Sequence, residues 1–487
     1  GRARCNTAAR RAASESVRSA RQIFLPQTGQ CARMGMLRGK TRRKFRFEET
    51  AEKMVEKKLR SYIIPNVLAM TGTSCYVLAD TFFISMAQGA TGITALNLVL
   101  PVYGLMFAIG SMIGIGSATR YSLRRALDPA EADGYFSNSL FWALLASLPF
   151  AAAGLWFPDA VLRWMGADEV ILGVGLTYMR IALCFAPCFM LNYTFTAFVR
   201  NDGAPNVAMA ATLTSGIFNI IFDYVLMFPL GMGMAGAALA TGLSPVVSML
   251  ICSVHFFSPS NHIRLVRRAP SVRRLVRSCS LGIVAFVGEM SSGITTMVFN
   301  FILLGLAGNI AVAAYGVVAN AALVGTALLN GVSQGLQPYA SEMHGKADVD
   351  AQRRIYRHSM QIALGIAALL VVLAGVFAGP LVSVFNSEGS AQLAAYATVG
   401  MRLYFLGFPG AAVNVVRAGF FSATGRGMES SVIAVLRGVV AVTVFAFVLS
   451  RAFGIIGVWL AFPVSEMFTW ALTGRLLFRD AAPANGK

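Results

Sequence analysis

Twelve stretches of the chain, each some 20 or more residues long and nearly free of charge, decide what it can fold into. They run approximately over 61–86, 93–117, 134–157, 173–197, 206–229, 234–257, 279–306, 310–337, 359–385, 393–421, 428–450 and 454–474. A helix that crosses the ~30 Å hydrocarbon layer needs about 20 apolar residues. Inside that layer every backbone N–H and C=O must be paired by the protein itself, which leaves helices or a closed barrel. These runs do not alternate with period two, so they are helices. Charged residues make up 13% of the 487 positions, about half of what a water-facing domain carries. Disorder, a coiled coil and a secreted disulfide scaffold are excluded by the same composition. The expected fold class is an all-α polytopic membrane protein, with the lipid bilayer as its solvent.

The formal charge is +19. In a soluble protein that would suggest nucleic acid, but the location of the charges argues against such a partner. Of the 41 Lys and Arg, 17 lie in residues 1–60 and most others in short loops. With the N-terminus in the cytoplasm, the inner loops and C-terminal tail hold 18 basic residues and the outer loops two, Arg163 and Arg451. A shifted helix count would scramble this alternation. The asymmetry therefore predicts twelve helices with both termini cytoplasmic, as for an integral protein of the plasma (inner) membrane.

Residues 1–46 hold 13 basic residues and one acid, Glu15. They contain no compact apolar core of a signal peptide. An over-extended start, with Met34 or Met36 as the true one, fits this composition best, and a transit peptide is the alternative. Residues 47–60 read as an amphipathic helix along the membrane surface. Of the seven cysteines, none falls in a candidate outer loop, so no disulfide is expected. Cys184 and Cys188 have helical spacing but no His beside them, which reads as an apolar pair and not as a metal site.

The linker 258–278 carries six Arg and no acid, and divides the chain into two sets of six helices. The halves resemble each other. AFVRNDG at 197–203 matches GFFSATG at 419–425, and Gly233-x-x-Gly236-x-x-Leu239-Ala240 returns as Gly454-x-x-Gly457-x-x-Leu460-Ala461. An even number of helices per repeat relates two lobes by a pseudo-twofold along the membrane normal, with a cleft between them. The expected organisation is a basic tail and amphipathic segment over 1–60, a first lobe over 61–257, the linker 258–278, a second lobe over 279–475 and a tail over 476–487.

Four acids, Asp80, Asp223, Glu289 and Glu466, and four bases, Arg180, Arg402, Arg417 and Arg437, fall inside the helices. Each is costly in hydrocarbon unless it faces a cavity or a partner. Asp80 stands 19 residues past the linker-side start of helix 1 and Asp223 stands 17 past that of helix 5, about 28 and 26 Å up at 1.5 Å per residue. The two share one level. Asn219 lies one turn from Asp223, on the same helix face. Two carboxylates and a carboxamide make an oxygen-rich site suited to H⁺ or Na⁺. Arg180 is the base nearest in depth and is expected to neutralise one acid. Glu289, Glu466, Arg402 and Arg437 share a depth in the second lobe. The last three are expected to pair structurally, and Glu289 is the functional candidate. No HExxH, deep His, Ser–His pair or phosphate-binding loop occurs, so neither an enzyme nor an ATP-driven pump is indicated.

The sequence resembles the multidrug and toxic compound extrusion (MATE) family over about residues 61–475. The resemblance is carried by Pro65, by Asp80 in ADTFFIS, and by GITALNLVLPVYGLMFAIGSMIGIGS in helix 2. FVRNDGAPN, Asn219-x-x-x-Asp223, Glu289 in FVGEMSSG and QGLQPYASEMHG complete it. It implies a secondary antiporter, without cofactor, that exports amphipathic, often cationic, drugs or metabolites in exchange for H⁺ or Na⁺. It implies that Asp80, Asn219 and Asp223 form the first-lobe cation site and that Glu289 matches the acidic position of the second. Some relatives add an acid on helix 10, where this chain has Arg402. A monomer is expected. The competing expectation is a lipid-linked oligosaccharide flippase of the same wider superfamily.

Overall fold

Proline, glycine and short polar side chains set where these apolar helices start, bend and turn back. A computed structural model describes the backbone of residues 28–477, apart from 126, 168, 268 and 386–389, and most side chains over 53–474. The basic stretch 1–27, the tail 478–487 and the side chains before 53 lie outside the described residues. With them go the expectations about Cys5, Cys31 and the start of the chain, whereas residues 47–60 are helical and the first crossing begins within them, at Lys53. Residues Gly1–Lys57 form one unit and Lys58–Lys487 another. Both lobes and their buried polar groups belong to the second unit.

The helices, in order, are α1 (Thr28–Arg125), α2 (Pro129–Trp156), α3 (Pro158–Trp164), α4 (Glu169–Cys184), α5 (Ala186–Asn201), α6 (Pro205–Met227) and α7 (Gly233–Val254). After the linker come α8 (Val272–Gly345), α9 (Val349–Phe385), α10 (Ala391–Phe405), α11 (Phe408–Ala423), α12 (Gly427–Val435), a π turn (Leu436–Val440) and α13 (Ala441–Leu477). α1 contains two crossings, Lys53–Gln88 and Leu98–Arg125, and α8 contains Val272–Gly308 and Ile310–Gly345. Among the described residues nine helices could cross alone, and the bent pairs α4–α5 and α10–α11 bring the number to eleven. The run Gly427–Gly474 has 48 residues and breaks at Gly454, φ +58°. Its length of about 72 Å is more than twice the hydrocarbon layer, so it crosses twice, which gives twelve spans.

Starts are specified locally. The Asp128 side chain accepts from the Glu131 N–H at 3.1 Å, and Pro129 follows it, an N-cap with proline at the first helical position. Helices 4 and 10, each expected as one span with a kinking proline inside, turn by 45° at Phe185 and at Leu406–Gly407. Pro187 and Pro409 cause this, since each lacks an N–H and crowds the preceding turn. They are 222 residues apart, as are left-handed Gly203 and Gly425; Gly233 and Gly454 are 221 apart. The repeat seen in the motifs is thus also a repeat of backbone breaks. Helices 7, 8 and 9 extend past their apolar cores, beginning or ending at Val272, Gly345 and Val349. Hydropathy marks the hydrocarbon crossing, whereas Arg and Lys at helix ends stay helical with their heads in water.

The two sets of helices meet at their linker-side ends. A Cβ at Gly331 would lie 2.6 Å from Val67 Cα, and one at Gly335 would lie 2.7 Å from Ile63 Cα. A Cβ at Gly282 would overlap the Met112 carbonyl, and one at Gly116 that of Ser278. Glycines spaced by four let the backbones approach this closely. Arg200, 8% exposed, donates from Nη1 to Asn66 Oδ1 at 2.8 Å in its own lobe and to Gln334 Oε1 at 2.9 Å in the other. Lys58 Nζ pairs with Glu342 at 2.9 Å, and the Tyr62 and Tyr339 rings stack at 6.5 Å. Farther from the linker, Gly104, Gly288 and Gly293 have nothing within 4 Å where a Cβ would stand.

The linker itself is fastened to the first lobe. The N–H groups of His262, Val266 and Ser271 donate to Asp202 Oδ2, Ser137 Oγ and Asn138 Oδ1 at 2.8, 2.8 and 2.7 Å. Ile263 is buried with Tyr121, Phe136 and Phe198. The buried Asp202 carboxylate also takes the Tyr121 hydroxyl at 2.7 Å, the Arg125 guanidinium and His255 Nε2 at 2.9 Å.

Candidate functional site: an unpaired carboxyl cluster in the first lobe

Asp80 comes from the first crossing of α1, and Asn219 and Asp223 from one face of α6. Asp223 and Asn219 are fully buried, and Asp80 is half-buried. The Asp80 and Asp223 carboxyls interact side chain to side chain. Asn219 Nδ2 donates to Thr241 Oγ1 on α7 at 3.2 Å, which leaves its carbonyl oxygen free. Asp80 Oδ1, Asn219 Oδ1 and both carboxyl oxygens of Asp223 are buried without a donor. An unpaired buried carboxylate is destabilising by several kcal/mol. Two adjacent ones with no base require a shared proton or a bound cation. Hard oxygen donors suit H⁺ and Na⁺. Among the described residues, no group of three or more His, Cys, Asp or Glu could hold a metal ion.

Arg180 does not neutralise this cluster. It is exposed, and among the described residues no ion pair joins it to Asp80 or Asp223. Equal depth along two helices does not bring its head inward, because depth leaves the rotation of each helix free.

In the second lobe an acid is fully answered. Glu466, 1% exposed, receives Arg437 Nη2 and Nε on Oε1 at 2.6 and 3.1 Å and Asn414 Nδ2 on Oε2 at 2.8 Å. Arg437 sits in the π turn, where the extra residue re-aims a side chain. Arg402, expected to share in the pairing, is exposed, and Glu466 is already saturated by the other two partners. Arg417 Nη1 donates to Thr473 at 3.0 Å. The acids inside the membrane-spanning helices thus differ: Glu466 stands in a static ion pair, whereas Asp80 and Asp223 have no counter-charge among the described residues.

Glu289 is exposed, and Tyr193 of α5, in the other lobe, donates to its Oε1 at 3.5 Å. Tyr76, one turn before Asp80, packs its ring over Gly216 of α6 and lies within electrostatic reach of Asp80, Asp223 and Glu289. Sequence reasoning alone misses Tyr76, Thr241 and Tyr193. Only Tyr76 carries a signal, its i−4 spacing from Asp80; the others approach from separate helices.

A family model described as MatE matches residues 65–225 and 283–448. The multidrug export protein MepA of Staphylococcus saprophyticus is 26% identical over 417 residues, which cover 85% of this chain and 91% of that protein. MepA of Staphylococcus aureus strain MRSA252 is 25% identical over 418 residues, again 85% and 91% of the two chains. Among solved structures, an outward-facing multidrug resistance MATE family transporter of the MOP superfamily superposes with TM-score 0.81 at 23% identity, over 87% of this chain and 95% of its own. A MOP superfamily transporter from Pyrococcus furiosus superposes with TM-score 0.80 at 23% identity, over 87% and 96%. These likenesses place the fold as twelve helices in two six-helix lobes.

Proposed function

We propose that this chain, which belongs to the MatE family, exports amphipathic, often cationic, compounds across the membrane in exchange for H⁺ or Na⁺. The multidrug export role named for its MepA relatives supports the substrate class and leaves the flippase reading without an observation of its own. It is a transporter and not an enzyme. The observation that carries the coupling is the cluster of four donorless oxygens on Asp80, Asn219 and Asp223.

The proposed cycle derives from the needs of that cluster. With a proton or Na⁺ bound, the two carboxyls can stay buried together. Without it, like charges at one dry site repel, and the first crossing of α1 must move to hydrate them. The same crossing carries Ile63, Asn66 and Val67, which seal the linker side against α8. Loss or gain of the cation is thereby tied to the seal between the lobes. Each cation and substrate then has a different affinity for the two lobe arrangements, as exchange by alternating access requires. The arrangement with Ile63 and Val67 against α8 is closed on the linker side. The loop charges support a cytoplasmic linker and cytoplasmic termini, so it corresponds to an outward-open state of a monomer in the plasma membrane. Glu289, with Tyr193 and Tyr76 beside it, faces the open cleft where a cationic substrate would be drawn.

The test is dye efflux from energised cells with protein level checked by blot. The Asp80→Asn, Asp223→Asn double variant is expected to be present in the membrane and to lose driven efflux. Normal efflux in it would sink the coupling role. Proteoliposomes given a pH gradient or a Na⁺ gradient separately then distinguish the two ions.

A further inference from the structure

The linker-side surface carries a concentration of positive charge that nothing in the transport cycle uses. At its centre Arg120 Nε donates to the Arg277 carbonyl at 3.0 Å, which fixes the end of the second crossing of α1 against the start of α8. The charges of Arg124 and Arg277 both bear on Arg120. Glu131 answers two of the three: it lies 3.3 Å from Arg124 Nη1 and bears on Arg120. Asp128 nearby is engaged as the α2 cap, and the Arg274 guanidinium lies over Gly134. Arg273, one turn before Arg277, and Arg264 and Arg267 on the linker are on the same surface and add charge of the same sign. Three guanidinium charges within reach of one another repel unless a further anion joins them.

Exposed apolar side chains stand on the same segments as these arginines. Phe257 is 89% exposed, Leu265 73%, Val272 59% and Val276 62%, at the level where the helices leave the hydrocarbon. Bonds from His262, Val266 and Ser271 to the first lobe hold the intervening backbone in place, so these side chains are presented as a fixed surface and not as a loose basic tether.

We propose that Arg120, Arg124 and Arg277, flanked by Val272 and Val276, form a binding site for an anionic phospholipid. The lipid phosphate sits on the guanidinium forks, and its acyl chains lie along the valines. Guanidinium groups match phosphate oxygens two at a time, and the apolar rim supplies what a soluble anion would not use. This rests on the reading that the chain spans a membrane, and not on its substrate or coupling ion. Arg120 and Arg124 belong to the first lobe and Arg277 to the second. A bound lipid therefore bridges the lobes on the side where they are closed.

The experiment titrates the detergent-solubilised full chain with dioctanoyl-phosphatidylglycerol or dioctanoyl-phosphatidylcholine and reads bound lipid by native mass spectrometry. Inorganic phosphate serves as competitor. The glycerol lipid is expected to bind in preference. Arg277→Gln should weaken it about fivefold, and Arg124→Gln, Arg277→Gln together about 25-fold, from the usual contribution of one basic residue at an anionic surface. Phosphatidylcholine adducts should not change. The Arg277 side chain is exposed, and its backbone carbonyl makes the bond to Arg120, so the single variant tests the site without endangering the fold. Equal binding of the two lipids, unchanged phosphatidylglycerol affinity in the single and double variants, or displacement by equimolar inorganic phosphate would each overturn the proposal. None of these outcomes depends on whether the protein exports anything.

Discussion

Gln334→Ala tests the proposed cycle at the Arg200 bond that crosses between the lobes. Among the described residues Gln334 is the second-lobe group that Arg200 Nη1 reaches; its other bond, to Asn66, stays within the first lobe. Parting the lobes on the linker side breaks the first bond and leaves the second. A hydrogen bond to a charged group contributes about 1.5–3 kcal/mol net. Its loss should therefore shift the balance from linker-side-closed to linker-side-open by about 10- to 150-fold. The Lys58–Glu342 pair crosses the same gap, but its side chains are 43% and 32% exposed, and Lys346 also reaches Glu342 at 2.7 Å. An exposed pair with a substitute partner contributes at the low end of roughly 0.2–1 kcal/mol. Lys58→Ala should shift the balance less than about fivefold.

The assay is the distance distribution between spin labels at Leu127→Cys and Val349→Cys, both exposed near the linker side of opposite lobes, in a background without native cysteines. Gln334→Ala should enlarge the long-distance population and Lys58→Ala should barely change it. A larger shift in Lys58→Ala than in Gln334→Ala would refute the reasoning, since it would mean that the exposed ion pair and not the Arg200–Gln334 bond holds the lobes together.

Glu289→Gln should lower efflux of cationic dyes more than that of neutral substrates, because a carboxylate facing the cleft attracts cations; equal loss for both classes in well-expressed protein would remove its substrate role. Glu466→Leu leaves Arg437 buried without its partner and should destabilise the second lobe by about 3–5 kcal/mol, seen as a lower melting temperature in detergent. Arg437→Met combined with Glu466→Leu should recover much of that loss and retain efflux; an inactive but stable double variant would show that the ion pair takes part in transport.

The span count was legible because the bilayer imposes one rule on every helix. A run of apolar residues must be long enough to cross, and its charged flanks must fall on alternate sides with the sign bias of the loops. The level of Asp80 and Asp223 was legible for the same reason, since depth is length along a helix. Rotation about the helix axis is not written in length. Arg180 shares the level of the two acids and points away from them, and Arg402 shares that of Glu466 and is exposed. Arg437 does reach Glu466, but through a π turn that no local propensity announces.

The residues that join one lobe to the other were the least legible of all. Tyr193 meets Glu289 from 96 positions away, and Arg200 meets Gln334 from 134. Such pairs form in one arrangement of the lobes and separate in another, so no single pattern along the chain has to encode them. Both arrangements must instead lie within a few kcal/mol of each other for the lobes to exchange. A strong sequence-wide preference for either one would stop the cycle. The Arg437–Glu466 pair, confined to one lobe, is under no such restriction. It can be saturated with hydrogen bonds, whereas the linker-side contacts between lobes named above are the single bonds of Arg200 to Gln334 and of Arg120 to the Arg277 carbonyl, a shared ion pair, a ring stack and glycine-lined close approaches. Modest affinity across the gap is what a two-state transporter needs there, and it is also why so little of that gap can be read from the sequence.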